Sequence, residues 1–307
     1  MNAIICYLCK VMRIETVTSG QNPKIKELLA LQEKSRTRRE KGLFVVEGRR
    51  EIGHCLDAGY RARTLFVCRE IIPEKYLGEI LEKTGQTVES DNSGAQAAGS
   101  TEMQGYAAPN IIEVPSALYE KIAYRGGTEG IIAEVEYRNR SLEDLKLSEN
   151  PLVVVLESVE KPGNLGAVLR SADAAGADAV IVCDPLTDLY NPNLIRSSIG
   201  AVFSRQVAAA SSQDTILWLK QNGIRIYTAQ LQDSEWYYDT DMQGGTAIVM
   251  GTESTGLTDI WRDAADAHIK IPMLGQLDSL NVSVSAAILL YEAVRQRNTT
   301  VISNETK

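Results

Sequence analysis

The stretch PLVVVLESVEKPGNLGAVLRSADAAGADAVIVCDP, Pro151 to Pro185, decides the fold. It opens on an almost wholly apolar run, Leu152–Leu156, and closes on another, Ala179–Cys183. Between them Pro162-Gly163 makes a tight turn, and apolar residues at helical spacing predict a helix over Leu165–Ala175. A short strand without polar alternation is covered on both faces, as in a parallel sheet with helices packed above and below it. Similar runs recur at Ile224–Thr228, Ala247–Met250 and Ile269–Met273. The covering helices are predicted at Pro192–Ala201, at Thr215–Gln221 with Gly223 as its stop, and from Val282 to about Arg297. The back of the chain is therefore α/β with a mostly parallel sheet.

Upstream the pattern differs. NPKIKELLALQEKSRTRREKG, Asn22 to Gly42, predicts one basic surface helix with Pro23 near its start. A strand at Leu43–Glu47, a helix at Glu51–Ala58 and a strand at Thr64–Cys68 follow, and the alternation continues to about Tyr137. A small-residue stretch, Ser90 to Gly105, interrupts it and reads as a mobile loop. The polar run Arg138 to Pro151 reads as a linker, with the boundary near residue 145. This divides the chain into a front domain over 12–138, a linker over 139–150 and a back domain over 151–298.

A length of 307 residues allows about two domains. Apolar residues make up 44% and charged residues 23%, ordinary globular usage, and no run approaches a membrane span. Five cysteines are few and odd in number, which argues against a disulfide framework and for a reducing cytoplasm. With two histidines no metal site is expected, and the lone Cys6-x-x-Cys9 lacks the strand–helix setting of a redox motif. The opening to Val11 lacks the basic start and cleavage site of an export signal, and Met12 reads as an alternative start. The net charge of −8 is uneven: residues 1–70 carry 14 Lys and Arg against 8 Asp and Glu, residues 150–307 carry 11 against 18. A basic front joined to an acidic remainder suits a polyanion bound at one end.

Three segments carry the chemistry. In the first, Asn164, Gly166 and Arg170 follow a buried strand, where a helix start offers free N–H groups to an anion. The alternatives are a plain strand-to-helix turn, or a dinucleotide site with Asp184 as its ribose acid, although G-N-L-G is not G-x-G-x-x-G. In the second, IVMGTESTGL, a strand runs through Gly251, Glu253 and Gly256, which suits a sharply turned loop with backbone groups facing a ligand. In the third, IKIPMLGQLDSLNVSV, a strand breaks at Pro272, and Ser279, Leu280 and Asn281 lead into a helix that one polar residue of the three caps.

Together, Asn164-x-Gly166-x-x-x-Arg170, Gly251-x-Glu253-x-x-Gly256-Leu257, and Ile271-Pro272-Met273 followed by Ser279 to Val284 resemble the SpoU (TrmH) family of RNA ribose 2′-O-methyltransferases of the SPOUT superfamily. The resemblance covers about residues 151–297. The front domain resembles the family's L30-like RNA-binding extension through Asn22–Gln32, Lys41–Ile52 and Thr128–Glu136.

The resemblance implies a deep trefoil knot, an exception to the rule against knots, and S-adenosylmethionine held by Thr228, Ala229, Gly251, Gly256, Ile271, Met273 and Leu280. It implies Arg170 as the central catalytic residue, positioned with Asn164, Glu253, Ser279 and Asn281. An arginine is a permanent cation, so stabilising the developing alkoxide suits it better than taking a proton. The proton then passes to phosphate, to Glu253 or to water. The family also implies a homodimer through the back domain and an RNA partner, ribosomal RNA before transfer RNA. Candidate phosphate contacts are Lys24, Lys26, Arg36, Arg38, Arg39, Arg49 and Arg50, with Lys34 and Lys41 beside them. An inactive RNA-binding or ribosome-assembly factor on the same scaffold is the alternative.

Overall fold

In the computed structural model the described residues are 14–90, 108–124, 129–138, 140–186, 188–204, 206–252, 254–277 and 279–305, with backbone alone at 85–90, 204 and 299–305. The chain divides into two units, one formed by residues up to Arg138 together with Tyr190–Arg196, the other by Asn139–Leu189 and the chain from Ser197 onward.

The first unit holds β1 (Ile14–Thr16), α1 (Pro23–Glu33), α2 (Ser35–Lys41), β2 (Leu43–Glu47), α3 (Arg49–Asp57), β3 (Ala62–Val67), α4 (Glu74–Ser90), β4 (Asn110–Glu113), α5 (Ser116–Ile122) and β5 (Ile131–Glu136). Its sheet has the order β1-β4-β3-β5-β2, with β5 antiparallel to both neighbours. Ile25, Leu28 and Leu31 on one face of α1 pack with Val45, Phe66 and Ile132. The Asn22 side chain accepts a hydrogen bond from the Lys24 amide and so starts α1 just before Pro23.

The single helix predicted over Asn22–Gly42 is two. Lys34 is extended, with φ −112° and ψ 113°, and the reason lies in Arg38. Arg38 is 2% exposed and donates to the carbonyls of Leu31 at 2.6 Å and Gln32 at 3.2 Å, the orphan acceptors of the last turn of α1. This corrects the reading of Arg38 as an RNA contact: its charge is spent inside the fold. Glu134 of β5 is 6% exposed, and burial pushes its carboxyl up to about 7 despite a hydrogen bond from Thr64. The folded state therefore keeps this proton while the unfolded chain loses it, so stability falls as pH rises from about 4.5 to about 7. Glu134→Gln is expected to match the wild type at pH 4.5 and to exceed it by up to about 3 kcal/mol at pH 8, read by denaturant unfolding.

The second unit holds β6 (Leu152–Glu157), α6 (Pro162–Ala174), β7 (Ala179–Cys183), α8 (Ala201–Ser204), β8 (Gln206–Ala210), α9 (Ser212–Gln221), β9 (Arg225–Ala229), β10 (Glu235–Trp236), β11 (Thr246–Met250), α10 (Asp259–Ala264), β12 (Ala267–Lys270) and α11 (Val282–Glu305), while α7 (Pro192–Ser197) bridges the division. Its seven strands, in the order β10-β12-β9-β11-β6-β7-β8, are all parallel to their neighbours. Val153, Val155, Ile181, Ala247 and Val249 face one core with Trp261, each larger side chain contributing roughly 1.5–3 kcal/mol by burial. Leu142 and Leu145, inside the stretch read as a linker, are buried in the same core.

Two predicted elements are corrected here. The helix read over Pro192–Ala201 breaks after Ser197, because Ile199 (φ 53°) and Gly200 (φ 78°) are left-handed. The strand read over Ile269–Met273 ends at Lys270, so Ile271, Pro272 and Met273 lie in the following loop. Gly166 of α6 is required by packing: a Cβ there would lie 2.0 Å from the Ser197 Oγ, whose hydroxyl donates to the Pro162 carbonyl.

Candidate active site

The carboxyl ends of β9, β11 and β12 open into a cleft of about 400 Å³. Its walls are the loops after those strands and one face of α11, with Ser285 and Leu289 inward. The loop after β11 turns back on itself: Thr252 and Gly256 exchange backbone hydrogen bonds of 3.2 and 3.1 Å, and Gly256 has φ 68°. A Cβ on Gly251 would lie 2.2 Å from the Gly256 carbonyl oxygen, so only glycine fits that turn. Thr252 Oγ1 accepts from the Thr255 amide and tightens it further.

Of the predicted cofactor residues, Ala229, Gly251, Gly256, Ile271, Met273 and Leu280 line this cleft, as does Ser279. Thr228 does not. It is fully buried, with Oγ1 2.6 Å from His268 Nδ1, because its side chain points into the β9–β12 pairing instead of the cleft.

Asn281 caps α11. Its Oδ1 accepts from the amide and hydroxyl of Ser283, and its Nδ2 donates to Asn164 Oδ1 at 3.2 Å. One side chain thus joins the third segment to the first, 117 residues apart in sequence. Arg170 stands on α6 beyond Asn164, exposed, and outside the lining of its own chain's cleft. Glu253 lies outside the described residues. Asp184, the acid of the dinucleotide alternative, accepts from the Ser212 amide at 3.1 Å and hydroxyl at 2.7 Å, at the start of α9. With Gly166 filled by Ser197, neither group of that alternative is turned to a ligand.

Three positions at or behind the cleft escaped sequence reasoning. Glu157, 4% exposed at the end of β6, accepts from the Thr258 amide at 2.8 Å and hydroxyl at 2.6 Å, and so anchors the end of the glycine loop to the sheet. Its only signal was an acid closing an apolar run. Gln230 and Arg262 line the cleft and carried no signal at all. On the first unit, Lys26, Arg39 and Arg50 are exposed, Lys24 pairs with Glu15 at 2.5 Å, and Arg36 with Glu40 at 2.6 Å. The Arg49 guanidinium lies over the Tyr76 ring at 3.8 Å and 3.6 Å from Glu129.

A parallel α/β sheet whose strand ends enclose a cleft of mixed apolar and polar lining with turned loops defines a binder of small, nucleoside-sized ligands. Residues 151–291 match the SpoU rRNA Methylase family, and residues 22–133 match the MRM3-like substrate binding domain. The chain is 39% identical over 176 residues to the 23S rRNA (guanosine-2′-O-)-methyltransferase RlmB of Escherichia coli, covering 55% of this chain and 72% of that one. It is 29% identical over 286 residues to a 23S rRNA (uridine(2479)-2′-O)-methyltransferase of Streptomyces viridochromogenes, covering 91% and 92%. The crystal structure of an AdoMet-bound rRNA methyltransferase from Sinorhizobium meliloti superposes with a TM-score of 0.78 at 28% identity, over 92% of this chain and 98% of that one. The chain belongs to the SpoU rRNA methylase family.

Proposed function

We propose that the protein methylates a ribose 2′-hydroxyl of ribosomal RNA, with S-adenosylmethionine as cofactor. The observation that carries this is the cleft at the strand ends, where the second and third motif segments meet and the third is tied through Asn281 to the first. The cleft fits the cofactor: its volume lies within the range of small-molecule sites, its walls mix apolar side chains with polar ones, and two of its lining residues each carry a buried polar atom with no partner among the described residues. When bound, S-adenosylmethionine supplies a methyl carbon on a sulfonium, and no metal is required because the leaving group is a neutral thioether.

The residues of this chain do the rest. Gly251 and Gly256 shape the loop that holds the cofactor, and Glu157 fixes that loop to the sheet. Asn164 and Asn281 hold each other and position the ribose. Arg170 grips the adjacent phosphate and stabilises the oxygen as its proton leaves. Ser279 and Glu253 complete the site. The trefoil knot belongs to this reading, since the loops after β11 and β12 both border the cleft. The exposed cations of the first unit, Lys24, Lys26, Arg36, Arg39 and Arg50, with the half-buried Arg49 beside them, place a folded RNA without reading its sequence.

The test is transfer of labelled methyl from S-adenosylmethionine to protein-free ribosomal RNA, followed by mapping of the label. Incorporation is expected at one ribose of the large-subunit RNA, and RNA binding is expected to weaken as salt rises. Label on a base, or on transfer RNA alone, would overturn the reading.

A homodimer built through the second unit, working in the cytoplasm, completes the proposal. Leu274 is 97% exposed and Leu277 76%, and Leu280 before α11 and Val284 and Tyr291 on it are exposed large apolar side chains too. Arg170 lies outside its own cleft, so a partner copy supplies it. Sedimentation at micromolar concentration is expected to give a dimer; an active monomer would remove this part.

A further inference from the structure

Gln230 and Arg262 line the cleft, and each carries a buried polar atom, Oε1 of Gln230 and Nε of Arg262, with no hydrogen-bond partner among the described residues. Such groups are uncommon in native interiors, and each one asks for a reason. Gln230 is held in one orientation. Its amide Nε2 donates to the Gln232 carbonyl at 3.0 Å, its backbone N–H donates to the Ile269 carbonyl at 3.1 Å, and its own carbonyl accepts from Ser234 at 2.7 Å. With the nitrogen engaged, the amide oxygen is the end left over, and it is an acceptor only.

Arg262 complements it. The last turn of α10 brings it to the cleft, and its Nε is a donor without an acceptor among the described residues. Its ion-pair partner, Asp259, is 3.7 Å away and 89% exposed, too far for a hydrogen bond and well screened by water. Lys270 adds a second cation to the same wall, and none of the described residues that line the cleft is acidic. A wall with an oriented acceptor at one place and a net positive charge at another suits a ligand that carries N–H or O–H donors together with a carboxylate.

We infer that Gln230 and Arg262 divide the recognition of the cofactor between them, Gln230 accepting from a donor of the adenosine moiety and the Arg262 guanidinium donating to the carboxylate of the amino-acid tail. The assignment rests on the proposal that this cleft holds S-adenosylmethionine. It adds to that proposal the two side chains that read the ligand's polar groups, where the motif residues contribute backbone and apolar wall.

The experiment is calorimetric titration of three ligands: S-adenosylmethionine, S-adenosylhomocysteine and 5′-methylthioadenosine, which lacks the amino acid. Arg262→Met keeps the apolar stem and removes the guanidinium. It is expected to weaken the first two ligands by about tenfold or more, the loss of one charge-assisted bond, and to leave 5′-methylthioadenosine unchanged. Arg262→Lys keeps a cation but not the Nε donor, and an intermediate loss confined to the same two ligands is expected. Gln230→Leu is expected to weaken all three ligands alike, by about tenfold. Equal weakening of 5′-methylthioadenosine by Arg262→Met, or full affinity for it in Gln230→Leu, overturns the division. Wild-type protein that binds none of the three overturns the cofactor reading and the inference together, whereas tight wild-type binding with unaltered variants overturns the inference alone.

Discussion

Arg170→Ala is expected to lower the single-turnover rate of RNA methylation by about 10²-fold or more while leaving the affinity for S-adenosylmethionine unchanged. The magnitude is that of losing one donor to a developing oxyanion. A ribose hydroxyl is a poor nucleophile until its proton is leaving, so the barrier is set by the charge growing on that oxygen. A permanent cation lowers this barrier without taking the proton. The predicted split between rate and cofactor affinity follows from placement: Arg170 is exposed on α6 and does not line the cleft of its own chain. A variant with near-wild-type turnover would remove Arg170 from the mechanism, and one that lost cofactor binding in proportion would move it into the cofactor site.

Gly251→Ala should be equally damaging by a different route. The added Cβ would meet the Gly256 carbonyl oxygen at 2.2 Å, its carbon at 2.3 Å and the Leu257 amide nitrogen at 2.6 Å. All three are backbone atoms, which no rotamer change moves aside, so the turn must open and the hydrogen bonds between Thr252 and Gly256 must break. A strain of about 3 kcal/mol corresponds to about 10²-fold in affinity for S-adenosylmethionine. Gly163→Ala is the control, because a Cβ there meets nothing within 4 Å. The two inactive proteins also test whether the site is shared. If Arg170 acts on the cleft of a partner copy, co-refolded Arg170→Ala and Gly251→Ala chains regain about a quarter of wild-type activity, since half the dimers then hold one complete site. Absence of any recovery would place Arg170 in the service of its own cleft.

The strands at 152–156, 179–183 and 247–250 were legible because burial on both faces leaves a continuous apolar run with no competing pattern. The edge strand β8, QVAAA, was not, since small residues on a sheet edge carry little strand signal. The breaks at Lys34 and at Ile199 have tertiary causes: a buried arginine that caps the preceding helix, and a β-branched residue held in a left-handed conformation that its own preference opposes. In the site, glycine spacing disclosed the loop after β11, and the polar cluster before α11 disclosed its cap. Arg38 and Arg262 show the limit of such reading. Both look like surface cations in the chain, and only packing reveals that one closes a helix and the other faces a cleft.

The return of Tyr190 to the first unit bears on how this protein can be dissected. Its ring stacks on Phe44 with centroids 4.2 Å apart, meets Tyr137 edge-on at 4.2 Å, and its hydroxyl donates to the Arg138 carbonyl. A fragment cut after Arg138 would strip Phe44 of this cover and bare an oily aromatic floor to water. The obvious scissor point between head and tail is therefore a false one, and grafting this front half onto a foreign catalytic body would require carrying residues 190–196 along as a separate strap.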